Sequence, residues 1–147
     1  MSAIINDTIA ALLSHAYVAP ATRCSLIVGT GMNAAVSMPL SALPESKLSP
    51  SHDNRPSEAV EVLLNTELSM FGKQILPVTE WDDALDAAMP RPGFQPLEYL
   101  MAGGYMGEIG RRMIVDGATK HGLFKNSLPQ LWLKPYTLPT LLLAAIE

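Results

Sequence analysis

Charge is scarce in this chain. Only 16% of the 147 residues are Asp, Glu, Lys or Arg, against about a quarter in ordinary domains. A small free-standing domain has much surface to solvate, so other polypeptide is expected to cover part of this one. Ten Lys and Arg face fourteen Asp and Glu, for a net charge of −4. Non-specific nucleic-acid binding needs basic patches that displace counterions, so this balance argues against it. Cysteine is nearly absent. A single residue, Cys24, excludes an internal disulfide and points to a reducing compartment. No apolar run reaches the length of a membrane span. The N-terminus lacks the basic start and apolar core of a signal peptide. A cytosolic location with no membrane partner is therefore expected. Hydrophobic residues make up 48% of the chain, enough for the core of one domain or of a piece of a larger one.

Leu26-Ile27-Val28-Gly29-Thr30-Gly31-Met32-Asn33-Ala34 is the most informative stretch. A continuous apolar run predicts a strand with both faces covered, and 33–38 predicts its return as a second strand. The intervening Gly-Thr-Gly is either a plain tight turn or a phosphate-facing one, with bare N–H groups and a hydroxyl. Asn33 can donate and accept, which suits a sugar hydroxyl. Cys24 is expected to be a small buried hydrophobe.

Upstream, Asn6-Asp7-Thr8 precedes an apolar run and reads as a helix start. Asp7 either only caps that helix or stands in a cleft as a base. Residues 17–22 read as a Pro/Ala link. A Ser/Pro-rich loop is expected at 39–57, with His52 solvated and without a role. Val60, Val62, Leu63 and Leu64 predict a buried strand ending in Asn65-Thr66-Glu67. Glu67 is then a solvated strand-end residue or a ligand contact of the kind open α/β sheets place there.

Thr79-Glu80-Trp81-Asp82-Asp83 predicts a capped helix to about Met89, with an acidic first turn that favours its dipole. Pro96 opens a longer helix on which Leu97, Leu100, Met101, Tyr105, Met106 and Ile109 recur. Its interior Ala102-Gly103-Gly104 costs about 1 kcal/mol per glycine and implies a close approach of another element or a ligand. Glu108, Arg111 and Arg112 are expected on a solvated face, and the methionines in the core. Gly122 stops the helix after His121. Pro139-Thr140 starts a Leu/Ala helix that reads as cut off at Glu147.

Taken in order, Ile5-Asn6-Asp7-Thr8, the strand–Gly29-Thr30-Gly31–Asn33 stretch, Asn65-Thr66-Glu67, Pro92-Gly93-Phe94-Gln95-Pro96-Leu97-Glu98 and Gly104-Tyr105-Met106-Gly107-Glu108 resemble the eukaryotic hexokinase family in its fungal branch. The resemblance spans nearly the whole chain. It implies an α/β fold, a fragment of the large domain of an actin-like ATPase (ribonuclease H-like) sugar kinase. Residues 1–22 would end the N-terminal region with its catalytic loop, and 23–147 would be part of the C-terminal domain. The implied reaction is transfer of the γ-phosphoryl of ATP, carried with Mg2+, to the 6-hydroxyl of a glucose-like hexose. No protein-bound metal is implied. By the same resemblance Asp7 is the catalytic base, Asn6, Asn33, Glu67, Gln95 and Glu98 bind the hexose, and Thr30, Gly31, Gly103 and Thr140 lie at the nucleotide.

Departures from the family pattern bear on activity. The first phosphate loop, a Thr-Lys sugar-binding segment and a late adenosine-side glycine segment are missing. Glu67 is usually followed by Trp-Gly-Ala-Phe-Gly but here by Leu68-Ser69-Met70-Phe71-Gly72, and Ala144 replaces a nucleotide-side serine. Besides the kinase reading, these departures leave open a sugar-sensing regulator without turnover, or an inactive gene fragment whose 147 residues alone phosphorylate no sugar.

Overall fold

The computed structural model describes residues 4–47 and 60–145. The chain forms two compact units. The first comprises residues 1–27 and 33–67, the second residues 28–32 and 68–147. The predicted loop at 39–57, with His52, lies largely outside the described residues.

In the first unit, helix α1 spans Asp7–Val18 and begins where the sequence implies, with Asn6 as N-cap. The Asn6 side chain accepts from Thr8 N at 2.9 Å, satisfying one of the N–H groups that a helix start leaves unpaired. The helix continues through Tyr17 and Val18, part of the predicted link, because the first proline comes only at position 20. Leu12 and Thr8 are its fully buried residues. The sheet has three strands in the order β1-β2-β3: β1 Cys24–Val28, β2 Met32–Pro39 and β3 Glu61–Asn65. Strands β2 and β3 run antiparallel with Ala35 opposite Asn65 and Pro39 opposite Glu61. Helix α1 packs against β3, and Ser25 Oγ donates to Thr8 O at 2.6 Å, tying β1 to the first turn of α1.

Three burial expectations fail in this sheet. Cys24 is exposed, not buried. Leu26 and Val28 are more than half exposed, so β1 is not covered on both faces. Val60 is exposed and β3 is only half-buried. An apolar run records what a strand can bury; what lies over it is a tertiary matter.

In the second unit, α2 spans Glu80–Ala87 and carries a full capping box: Thr79 accepts from Asp82 N while the Asp82 carboxylate accepts from Thr79 N at 2.8 Å. The single helix expected from Pro96 is two: α3, Pro96–Met101, and α4, Gly103–His121. Ala102 breaks them with extended backbone, φ −82° and ψ 144°. The glycines therefore start a helix and do not weaken the middle of one. Gly122 closes α4 with φ 71°, the left-handed stop the sequence implies. Helix α5, Thr140–Ala144, packs on α4. The core joins Met32, Leu97 and Ala102, with Leu68, Leu76 and Tyr105 against it.

The face assignment of α4 is also corrected. Glu108 and Arg111, expected in solvent, are 1% and 7% exposed, while Met101, Met106 and Met113 are nearly half exposed. Gly107, Arg111 and Ala118 follow helical spacing on the buried stripe. Met106 and Met113 each fall one residue away from that spacing, about 100° round the axis. No helix among the described residues is long and apolar enough to cross a membrane.

Candidate functional site

The candidate residues divide between the units. In the first, Asn6 and Asp7 stand at the N-terminus of α1. Asp7 is exposed, and its Oδ1 accepts from Thr8 N at 2.8 Å. No donor among the described residues reaches its second oxygen. Thr8 Oγ1 also donates to Asn6 Oδ1, so Asn6 is locked by its own helix start.

Asn33 and Glu67 are joined through a third side chain. Asn33 Nδ2 donates to Asn65 Oδ1 at 2.8 Å, and Asn65 Nδ2 donates to Glu67 Oε1 at 2.6 Å. The register explains the meeting. Ala35 faces Asn65, and Thr66 N donates to Ala34 O at 3.0 Å just past the ladder, so Asn33 falls level with Glu67 on the Asn65 face. Glu67 has φ +50°, a left-handed conformation rare for a residue with a side chain. Such backbone strain clusters at functional sites. The second Glu67 carboxylate oxygen has no donor among the described residues.

In the second unit, half-buried Glu98 lies in the first turn of α3. Its Oε2 accepts from Met32 N at 2.9 Å. A Cβ on Gly31 would come 2.9 Å from that same oxygen, so position 31 is glycine to make room for the carboxylate. Neither Gly29 nor Gly31 adopts positive φ. Gln95, just before α3, donates from Nε2 to Oγ of buried Ser69 at 3.3 Å.

The Gly29–Gly31 turn is held by main chain. Gly103 N donates to Gly29 O at 2.7 Å and Gly104 N to Thr30 O at 3.0 Å. The close approach implied by the two glycines is therefore that of the α4 N-terminus to this turn. A Cβ on Gly104 would meet Thr30 O at 2.6 Å, and one on Gly103 would meet Gly29 O at 3.0 Å. Among the described residues the N–H groups of Thr30 and Gly31 have no acceptor. Thr140, the first residue of α5, donates from Oγ1 to Gly103 O at 2.5 Å and accepts from Gly107 N at 2.9 Å. It thus fastens α5 to the first turn of α4.

The second unit also holds a buried ionic hub. Glu108 accepts from Arg111 Nε and Nη2 at 2.7 and 2.6 Å, from Arg112 Nε at 2.9 Å and from Tyr136 N at 2.7 Å. Arg111 also donates from Nη1 to Trp132 O at 2.9 Å. Burial pushes the Glu108 pKa up, but the Arg111 and Tyr136 hydrogen bonds and the two guanidinium charges outweigh it and hold the carboxyl below its ordinary value. Burial likewise raises the phenols of Tyr99 and Tyr105, which meet edge to face at 5.0 Å.

Sequence reasoning missed Asn65 and the Glu108 hub. Asn65 was within reach, since a polar residue two before Glu67 shares its face on a strand. The hub was not, because Glu-x-x-Arg-Arg spacing is the same in a solvated pair and a buried one.

A hexokinase family model matches residues 23–147. The chain is similar to a hexokinase of Emericella nidulans (37% identity) and to Hexokinase-1 of Schizosaccharomyces pombe (34%), over 100% of the chain and 30% of each relative. It is also similar to Hexokinase-9 of rice, at 35% identity over 96% of the chain and 27% of the relative. The Schistosoma mansoni hexokinase solved in complex with glucose superposes with a TM-score of 0.76 at 33% identity, covering 94% of this chain and 30% of that one. The chain thus spans about 30% of the length of these relatives. The chain belongs to the hexokinase family, as an α/β segment of the hexokinase large domain.

Proposed function

We propose that this chain carries the catalytic loop and the hexose-binding side of an ATP-dependent hexose kinase acting at the 6-hydroxyl of a glucose-like sugar in the cytosol. Residues 1–22 end the N-terminal region with the catalytic loop, and 23–147 belong to the C-terminal domain. The observation that carries the reading is the cluster in which Asn33 and Glu67 are held together with one carboxylate oxygen open.

Asp7 acts as base through its open oxygen. It takes the proton of the 6-hydroxyl as that oxygen attacks the γ-phosphorus and ADP leaves. Phosphoryl transfer needs mostly positioning and charge neutralisation, so one carboxylate suffices. Asn6, Asn33, Glu67, Gln95 and Glu98 present donors and acceptors to the other hydroxyls. Charge-assisted bonds to the two glutamates, roughly twice as strong as neutral ones, favour one epimer over another. On the nucleotide side, the open Thr30 and Gly31 N–H groups suit phosphate oxygens. Gly103 and Thr140 keep that turn and the start of α4 in place. Mg2+ enters with the nucleotide as part of the substrate.

Hexose-dependent ADP release by the full-length gene product tests this. Asp7→Asn is expected to lower kcat by about a hundredfold to ten-thousandfold while leaving the hexose Kd within about threefold of wild type. A folded wild-type preparation that turns over no hexose ends the kinase reading. Hexose binding without turnover assigns the chain to a sugar sensor instead.

A further inference from the structure

We propose that Asn65 is a positioning residue that aims Asn33 and Glu67 at the sugar as one unit; the proposal rests on the hexose-binding reading above. Asn65 is the middle member of the chain Asn33 Nδ2–H to Asn65 Oδ1, Asn65 Nδ2–H to Glu67 Oε1, at 2.8 and 2.6 Å. A carboxamide offers an acceptor and a donor side by side on a single rigid plane, without charge. Its neighbours need both: Asn33 presents an NH2 and Glu67 a carboxylate. An aspartate at position 65 would keep the acceptor for Asn33 but set a second negative charge against Glu67. A leucine would keep neither bond.

The consequence for a ligand lies in which atoms the relay consumes. It uses one Glu67 oxygen and turns the other away from Asn65, without a donor among the described residues. At the other end, Asn33 Oδ1 accepts from Ala34 N at 2.8 Å, so the Asn33 amide is held from both sides and cannot flip. The left-handed backbone of Glu67 places a long, exposed side chain where no ladder pairing restrains it. Asn65, half-buried at the last position of β3, is anchored by that ladder through its pairing with Ala35. It therefore transfers the rigidity of the sheet to two residues at its open end. The Asn65 carboxamide spends an acceptor on Asn33 and a donor on Glu67, and its effect on the sugar passes through them.

The test is isothermal calorimetry of D-glucose, D-mannose and D-galactose binding to the full-length gene product. Asn65→Ala is expected to weaken the preferred hexose by about tenfold to a hundredfold, the effect of losing a hydrogen bond to a charged group, and to narrow the preference among the three sugars. Once Glu67→Ala is present, adding Asn65→Ala is expected to weaken binding by less than it does in wild type, because only the Asn33 arm of the relay is left to lose. Asn65→Asp supplies a readout that a merely structural role would not move. Two adjacent carboxylates share a proton, so the gap in hexose affinity between this variant and wild type is expected to change with pH across the acid range. It also serves if the alanine variant does not fold, being nearly isosteric. An Asn65→Ala affinity within about twofold of wild type, fully additive effects in the double variant, or a pH profile for Asn65→Asp parallel to that of wild type each overturns the proposal. Wild type that binds none of the three sugars overturns the hexose-binding reading itself, a result distinct from these.

Discussion

The Asn33–Asn65–Glu67 cluster of the first unit and the Gly29–Gly31 turn of the second are built on different plans. Asn33, Asn65 and Glu67 hold one another by side chains, at a partly exposed sheet end. The turn is held by main-chain bonds from Gly103 and Gly104, with glycine wherever a Cβ would intrude. A side-chain cluster can be retuned by one substitution while the backbone stays still. A backbone clamp has no such freedom, because any added atom moves the turn as a whole. The second unit can hold its turn this way because it is tied together elsewhere, through the buried Glu108 hub.

The strongest test of that contrast is the hub. Glu108→Ala leaves Arg111 buried without its partner and is expected to destabilise the protein by about 3–5 kcal/mol, measured by urea unfolding. A loss under about 1 kcal/mol would mean that the second unit does not depend on it. The hub also sets a pH dependence. The folded pKa of Glu108 lies below its unfolded value, so its stabilisation is complete above the ordinary carboxylate range and is lost as pH falls through the folded value. The melting temperature should therefore drop on acidification more steeply in wild type than in Glu108→Gln. Equal slopes would remove Glu108 from the account.

A smaller effect is expected at the clamp. Gly104→Ala puts a methyl 2.6 Å from Thr30 O and should cost about 1–3 kcal/mol, the range for overpacking. Its mark is a raised KM for ATP with an unchanged hexose Kd, the reverse of what Asn65→Ala does. Should both variants alter both ligands equally, the contrast between the two regions fails.

Smallest is Thr79→Ala, which removes the capping box of α2. It should lower stability by about 1 kcal/mol and move neither ligand. A change in either affinity would show that α2 contributes to the site.

Much of this was legible residue by residue. Asn6-Asp7-Thr8 announced a helix start, Thr79 with Asp82 a cap, and Gly122 a stop, because each acts on backbone groups within a few positions of itself. The apolar runs at 24–28 and 60–64 announced strands for the same local reason. The Ala102 break was misread as a helix interior, since the carbonyls of Gly29 and Thr30 that draw the chain out of helix there lie some seventy residues away. The exposed methionines of α4 were misread because a Met is apolar on whichever face it falls.

By itself, then, the sequence determined most of the elements and their order, and through the order and spacing of its motifs the family. Only the tertiary structure decided that Glu108 and Arg111 are buried together, that Gly104 lies against Thr30, and that Asn65 stands between Asn33 and Glu67. The physical reason is one of range. Caps, stops and strand propensity arise from interactions within a turn or two of the chain, whereas burial and side-chain partnership depend on which distant segment arrives, and residue type does not specify the arrival.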